Sequence, residues 1–226
     1  MRMRKKKHRD ARIEARADLL FVGRDAPGAP AVQFHEKSDS RRAEGVTPYS
    51  FPVFLEIGCG KGGFICEMAQ NNPGLNFVAA ERNPDVIILA MEKAHGLGLE
   101  NVKFLIADAL NLLDYFNPGQ VAGIYLNFSD PWHKNYQAHK RLTYKTFLEI
   151  YKNILISGAK LIIKTDNKNL FDFSLRSLPA NGFEILNQTR DLYSSGFLEN
   201  NVQTEYEKKF VAEGVKICWM EAVCKK

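Results

Sequence analysis

Five short stretches carry residues that could bind a ligand or act on one, and each follows an apolar run. The first is Glu56-Ile57-Gly58-Cys59-Gly60-Lys61-Gly62-Gly63. Glycines let a chain turn tightly and let a ligand approach the backbone. The spacing G-x-G-x-G-G departs from the dinucleotide fingerprint G-x-G-x-x-G, which sets a pyrophosphate on a helix N-terminus. An acid precedes these glycines, and a carboxylate there repels a pyrophosphate. It suits a cationic group, such as the ammonium or sulfonium of S-adenosylmethionine. A glycine turn that holds no ligand is the other reading. The second stretch ends at Glu81, 23 positions beyond Gly58. An acid there can take both hydroxyls of a ribose. Nicotinamide enzymes share that signal, so it points to an adenosine ligand and not to a reaction. The third is Asp108-Ala109, whose carboxylate either accepts from the exocyclic amine of adenine or caps a helix. Three acids after three successive apolar runs are better explained together than singly.

The fourth stretch is Asn127-Phe128-Ser129-Asp130-Pro131-Trp132-His133-Lys134. It places an acid, a proline of fixed backbone direction and an aromatic side by side. Trp132 can pack structurally or stack on a base. Residues 135–141 follow, with Lys140, Arg141 and an interleaved Tyr136. The fifth is Thr165-Asp166-Asn167.

The elements that must position these residues can be read from pattern. VFLEI (53–57), FVAAE (77–81), VKFLIAD (102–108), AGIYLNF (122–128) and KLIIKTD (160–166) are apolar runs of strand length. Helical spacing marks 63–72, Asn83-Pro84 to about His95, 142–155 and 170–178 between or after them. FEILNQT (183–189) and KICWMEAVC (216–224) read as further strands around a loop-rich insert. Alternating strands and helices predict an α/β fold with a mostly parallel sheet covered on both faces. Right-handed crossovers then bring the strand C-terminal ends to one edge, where ligands bind.

Composition sets the outer bounds. The chain has 226 residues, 45% hydrophobic and 25% charged, with a net charge of +5. That is enough apolar material for one substantial core. No apolar run approaches the ~18 residues of a membrane span. The first sixteen residues lack the apolar core of a secretory signal. Cys59, Cys66, Cys218 and Cys224 show no CxxC spacing, so a reducing, cytoplasmic setting is expected and a structural metal is not. Residues 1–45 read as a basic arm and linker, with a short helix over 9–20 and Pro/Gly/Ser-rich chain after it; residues 46–226 read as the folded domain. Residues 1–16 hold 8 basic and 2 acidic residues, and 134–168 hold 8 and 2 again. Each segment is thus +6, and the remaining chain sums to 5 − 12 = −7. Either run alone could be a solvated surface. Two of them lean toward a polyanion such as nucleic acid.

The ordered set FLEIGCGKG, Glu81, Asp108-Ala109, NFSDPWHK, HKR, TDN at 165–167 and TEYEKKF at 204–210 resembles the bacterial tRNA (guanine-N7-)-methyltransferase family. EIGCGKG alone is shared with many S-adenosylmethionine-dependent methyltransferases, whereas NFxDPW, TDN and TxYExKF together are specific. The resemblance implies the class I methyltransferase (Rossmann-like) fold, a seven-stranded sheet with its last strand, 216–224, antiparallel. It implies S-adenosyl-L-methionine as cofactor, lined by Glu56, Gly58, Gly60, Glu81, Asp108, Ala109 and Asp130, with Asp130 catalytic. It implies substrate binding by Lys134, Asp166, Thr204, Glu205, Tyr206 and Glu207. It implies RNA contact by Tyr136, Gln137, Ala138, His139, Lys140 and Arg141. The partner would be tRNA, the protein a monomer or homodimer, and the product 7-methylguanosine at position 46 of the variable loop.

Three other readings keep part of this evidence, one of them a non-catalytic RNA-binding protein that kept the fold, disfavoured because the acids expected around the cofactor remain intact. SDPW also resembles the (D/N/S)PP(Y/F/W) motif of enzymes that methylate the exocyclic amine of adenine or cytosine, with Asp130 in place of one proline. A nicotinamide-dependent oxidoreductase is disfavoured by Glu56 and by the glycine spacing.

Overall fold

The computed structural model describes residues 8–21, 53–199 and 201–225. The expected linker and the 45/46 boundary lie outside them. Seven strands form one sheet: β1 (Val53–Ile57), β2 (Asn76–Glu81), β3 (Val102–Ile106), β4 (Val121–Asn127), β5 (Leu155–Thr165), β6 (Phe183–Thr189) and β7 (Cys218–Cys224). Their order is β3-β2-β1-β4-β5-β7-β6. Pairs β1–β2, β2–β3, β1–β4 and β4–β5 are parallel, while β7 runs antiparallel to both β5 and β6. The order reverses at β1: β2 and β3 lie to one side, and β4 opens the other. An α/β sheet forms its ligand crevice at such a point, beyond the strand carboxyl ends.

Among the described residues six α-helices accompany the sheet: α1 (Arg9–Glu14), α2 (Gly63–Asn71), α3 (Pro84–Gly96), α4 (Lys145–Ile154), α5 (Lys168–Ala180) and α6 (Glu205–Ala212). Strands β1, β2 and β4 are largely apolar on both faces because both are covered. Phe64, Ile65, Ile87, Ile88 and Met91 of α2 and α3 pack with Phe77 and Phe104 on one face. Leu148, Tyr151, Phe171 and Leu178 of α4 and α5 pack with Leu55, Ile124 and Leu161 on the other. Burying each such side chain contributes about 1.5–3 kcal/mol.

Local chemistry sets the helix starts next to the crevice. Asn83 caps α3 by accepting from the Asp85 N–H at 2.9 Å, with Pro84 in the first turn. Asn167 caps α5 through the Leu170 N–H, also at 2.9 Å. The expected helix at 142–155 begins only at Lys145, because Arg141 to Tyr144 form a turn. The expected helix at 9–20 is α1 followed by a short 3-10 turn at Ala17–Leu19. Leu19 and Phe21 are buried, and the Phe21 N–H bonds the Phe104 carbonyl at 2.7 Å, covering the β3 edge. Arg12 forms a two-pronged pair with Glu92 of α3 at 2.7 and 2.8 Å, and Arg9 lies 3.7 Å from Asp85.

The insert before β7 is not all loop. It contains α6, started by a capping box in which Thr204 and Glu207 satisfy each other's backbone N–H groups. The T-x-x-E spacing at 204–207 was the signal for this helix.

Candidate active site

A cleft of ≈ 520 Å³ opens at the carboxyl ends of β1 to β4. Its lining includes Glu56, Gly58, Gly60, Glu81, Asp108, Ala109 and Asp130. The glycine turn between β1 and α2 forms its floor. Gly58 and Gly60 take φ of 81° and 56°, and a Cβ on either would meet no atom within 4 Å. These positions leave open space above left-handed backbone, which a bound group can approach closely. Gly62 serves packing instead, since a Cβ there would fall 2.6 Å from the Ala90 Cβ.

The three acids sit in different environments. Glu56 is 2% exposed. Its Oε1 accepts from the Asn127 side-chain amide at 2.9 Å, while Oε2 is buried with no hydrogen-bond partner. Burial pushes its carboxyl pKa up to about 7, and the Asn127 bond and Lys164 pull the other way. A buried carboxylate oxygen left without a donor at a cleft wall fits a cationic guest such as an ammonium. Glu81 accepts from the Asn83 N–H at 2.9 Å and from the Gly60 N–H at 3.3 Å. It therefore ties the glycine turn to the end of β2 while facing the cleft. Asp108 caps the 3-10 turn that follows it through the Leu110 N–H at 3.0 Å, and it also lines the cleft. The capping reading of Asp108 is thus met, and its place in the lining leaves the residue beside any guest of the cleft. This donor set, with its orphaned oxygen and open glycine backbone, fits S-adenosylmethionine.

Asp130 lies across the cleft on the turn after β4, with its side chain 68% exposed. Arg82 Nη2 stands 3.6 Å from its Oδ2. Arg82 also lines the cleft and was not singled out from sequence. Its position directly after Glu81 was the only available clue. The Asp130 turn is bracketed by two left-handed residues, Phe128 (φ 51°) and Trp132 (φ 44°). Such backbone costs roughly 1–2 kcal/mol per residue with a Cβ and persists only where surroundings hold it.

The expected substrate-binding residues divide. Glu205 and Tyr206 lie on the exposed face of α6 and line the cleft, Tyr206 being 64% exposed. Thr204 also lines it, but its hydroxyl accepts from the Glu207 N–H at 2.9 Å. Glu207 is fully buried. It pairs with Lys164 of β5 at 2.6 Å and accepts from Tyr193 and Asn201, both at 2.8 Å. Lys164 also donates to Val202 and Asn201 at 2.7 and 3.1 Å. Burial lowers the Lys164 pKa, and Glu207 draws it back upward. Nothing in the sequence pattern marked Lys164 as more than a strand residue. Asp166 is half-buried beyond β5 and Lys134 is exposed; neither lines the cleft.

Of the expected RNA-facing segment, Tyr136, His139 and Lys140 are exposed and Gln137 and Ala138 half-buried, in a 3-10 turn over Asn135–Lys140. Lys134 Nζ lies 5.8 Å from the Tyr136 ring centroid, and Lys140 Nζ lies 4.8 Å from that of Trp132. Arg141 differs: it is 7% exposed and turned inward.

Comparison with known proteins agrees with this geometry. A family model described as "Putative methyltransferase" matches residues 50–220. A tRNA (guanine-N(7)-)-methyltransferase of Brevibacillus brevis is 43% identical over 173 residues, covering 76% of this chain and 81% of the relative. One of Limosilactobacillus reuteri is 42% identical over 217 residues, covering 96% of each. Solved structures show the same fold at low identity. The 16S rRNA methyltransferase KamB has a TM-score of 0.58 at 14% identity, over 77% of this chain and 88% of its own. The antibiotic-resistance methyltransferase Kmr has a TM-score of 0.56 at 18% identity, over 77% and 87%. Among the described residues no helix is long and apolar enough to cross a membrane. With a reversed-order seven-stranded sheet, a cleft lined by acids at its strand ends and these relatives, the chain belongs to the tRNA (guanine-N7-)-methyltransferase family of class I S-adenosylmethionine-dependent methyltransferases.

Proposed function

We propose that this protein methylates N7 of guanosine 46 in the variable loop of tRNA. The observation that carries the reading is the convergence of Glu56, Glu81, Asp108 and Asp130 on one cleft beside exposed Tyr206. When bound, S-adenosylmethionine supplies a methyl group on a sulfonium, which passes to the N7 lone pair with no proton to be removed first. The residues therefore need to bind, orient and balance charge rather than act as a general base. Glu56 holds the ammonium of the cofactor, Glu81 its ribose hydroxyls, and Asp108 with Ala109 flanks the adenine. Asp130 faces the positive charge that develops on the purine, or accepts from the guanine N1–H and amino group. Glu205 and Tyr206 border the substrate side, with Lys134 and Asp166 as further candidates around it. Tyr136 to His139 offer stacking and polar contacts to RNA outside the cleft, and Lys140, which lines it, a phosphate contact at its rim. The protein would act on soluble tRNA in the cytoplasm.

The test methylates unmodified tRNA with labelled cofactor, digests it to nucleosides and repeats the reaction with guanosine 46 replaced. The expected product is 7-methylguanosine, lost with the replacement. Asp130→Ala should lower turnover by about 10²-fold or more while changing cofactor affinity little. A methylated exocyclic amine, or product formation that survives the replacement, would sink the assignment.

A further inference from the structure

Arg141 stands in a basic run after the Asp130 turn, yet it is 7% exposed and its guanidinium bonds the protein's own backbone. Nε donates to the Pro131 carbonyl and Nη2 to the Trp132 carbonyl, both at 3.0 Å. These are the two residues directly after Asp130, and Trp132 is one of the two left-handed residues that bracket the turn. The guanidinium also lies over the Phe173 ring of α5, 4.6 Å from its centroid. Two positions on, the Thr143 hydroxyl bonds Ser174 at 2.8 Å, and its carbonyl accepts from Ser177 at 2.6 Å. The Asp130 turn is thus anchored through Arg141 and Thr143 to α5, a helix packed on the sheet. A phosphate ligand needs the reverse, an exposed head with free donors. The adjacent Lys140 is exposed.

We propose that Arg141 is a positioning residue that holds the Asp130 turn in its reactive shape, and that it is not a phosphate ligand. This rests on the reading of Asp130 given above. The planar fork of arginine reaches two successive carbonyls in one fixed geometry, which the single ammonium of lysine does not reproduce. Small displacements of a reacting group cost rate steeply, whereas loss of a phosphate contact costs affinity and salt dependence.

The full-length protein with Arg141→Lys, Phe173→Leu or Lys140→Ala separates the two. Thermal midpoint, kcat and KM on tRNA at saturating cofactor, and tRNA Kd across a salt series would be measured for each. Arg141→Lys should lower kcat on the order of tenfold or more, with the slope of log Kd against log salt unchanged. Phe173→Leu, which alters no charge, should lower kcat in the same direction and carries the test if the arginine variant fails to fold. Lys140→Ala should instead flatten the slope by about 0.7–0.9. A tRNA Kd raised severalfold with normal kcat in Arg141→Lys would overturn the inference, because lysine keeps the charge but loses the two-pronged grip on a phosphate. So would a lowered thermal midpoint with normal kcat in both Arg141→Lys and Phe173→Leu. Wild-type protein that yields no 7-methylguanosine overturns the functional reading itself, and that result is visible before any variant is compared.

Discussion

Glu56 illustrates how one residue couples the fold to the cleft. Its carboxyl is buried beside Asn127, and burial raises its pKa from 4.5 to about 7. A raised carboxyl pKa means that the folded chain binds a proton the unfolded chain has released between those values. Stability contributed by the neutral form is therefore lost as pH climbs from about 4.5 to about 7. A cationic guest reverses the preference and draws the proton off. Titration calorimetry with S-adenosylhomocysteine at pH 6, in buffers of different ionisation enthalpy, should show close to one proton released per binding event. Glu56→Gln should abolish that release and bind the ligand more weakly. Equal proton release in the two proteins would remove Glu56 from the ammonium site.

At the scale of elements, α6 shows how a buried pair builds a wall of the cleft. Lys164 and Glu207 face each other at 2.6 Å with side-chain exposures of 3% and 0%. Asn201, Val202 and Tyr193 satisfy their remaining donors and acceptors. The helix start is thereby locked onto β5, which leaves Glu205 and Tyr206 facing the cleft. Breaking a buried pair from one side leaves an uncompensated charge. Lys164→Met should cost about 3–5 kcal/mol of unfolding free energy in a denaturant titration. Thr204→Ala should cost about 1 kcal/mol through loss of the cap. A cost under about 1 kcal/mol for Lys164→Met would show that the pair does not hold the helix.

Across the whole molecule the charge is divided. Net charge is +6 over 1–16 and +6 over 134–168, against −7 elsewhere. The second segment contains Lys164 and Arg141, both buried and internally engaged, so less of it faces solvent than the count suggests. Within the first segment, Arg9 and Arg12 lie against Asp85 and Glu92 of α3. The five basic residues at 2–7 are then the main charge that the arm can offer to RNA. Deleting 2–7 should weaken tRNA binding and flatten its salt dependence while sparing the thermal midpoint. Extending the deletion to residue 16 should lower the midpoint as well, because it removes the α1 contacts with α3. Unchanged tRNA affinity in the shorter deletion would rule out an RNA role for residues 2–7.

The alternating framework and the acids around the cleft were legible in the chain alone. Those signals are local: apolar runs of strand length, glycines at a turn, and one carboxylate after each strand. Their chain order maps directly onto neighbouring strand ends in a parallel sheet. The TxYExKF and HKR motifs marked segments that reach the cleft, but not which of their side chains face it. That Glu207 and Arg141 point inward followed only from the folded packing. A charged residue's partners can lie 43 residues away, as Lys164 does from Glu207, or 32 away, as Phe173 does from Arg141. Burial of a charge depends on those distant partners, and linear spacing does not record them. The same holds for the Arg82 side chain near Asp130, which meets its partner only because β2 and β4 flank β1.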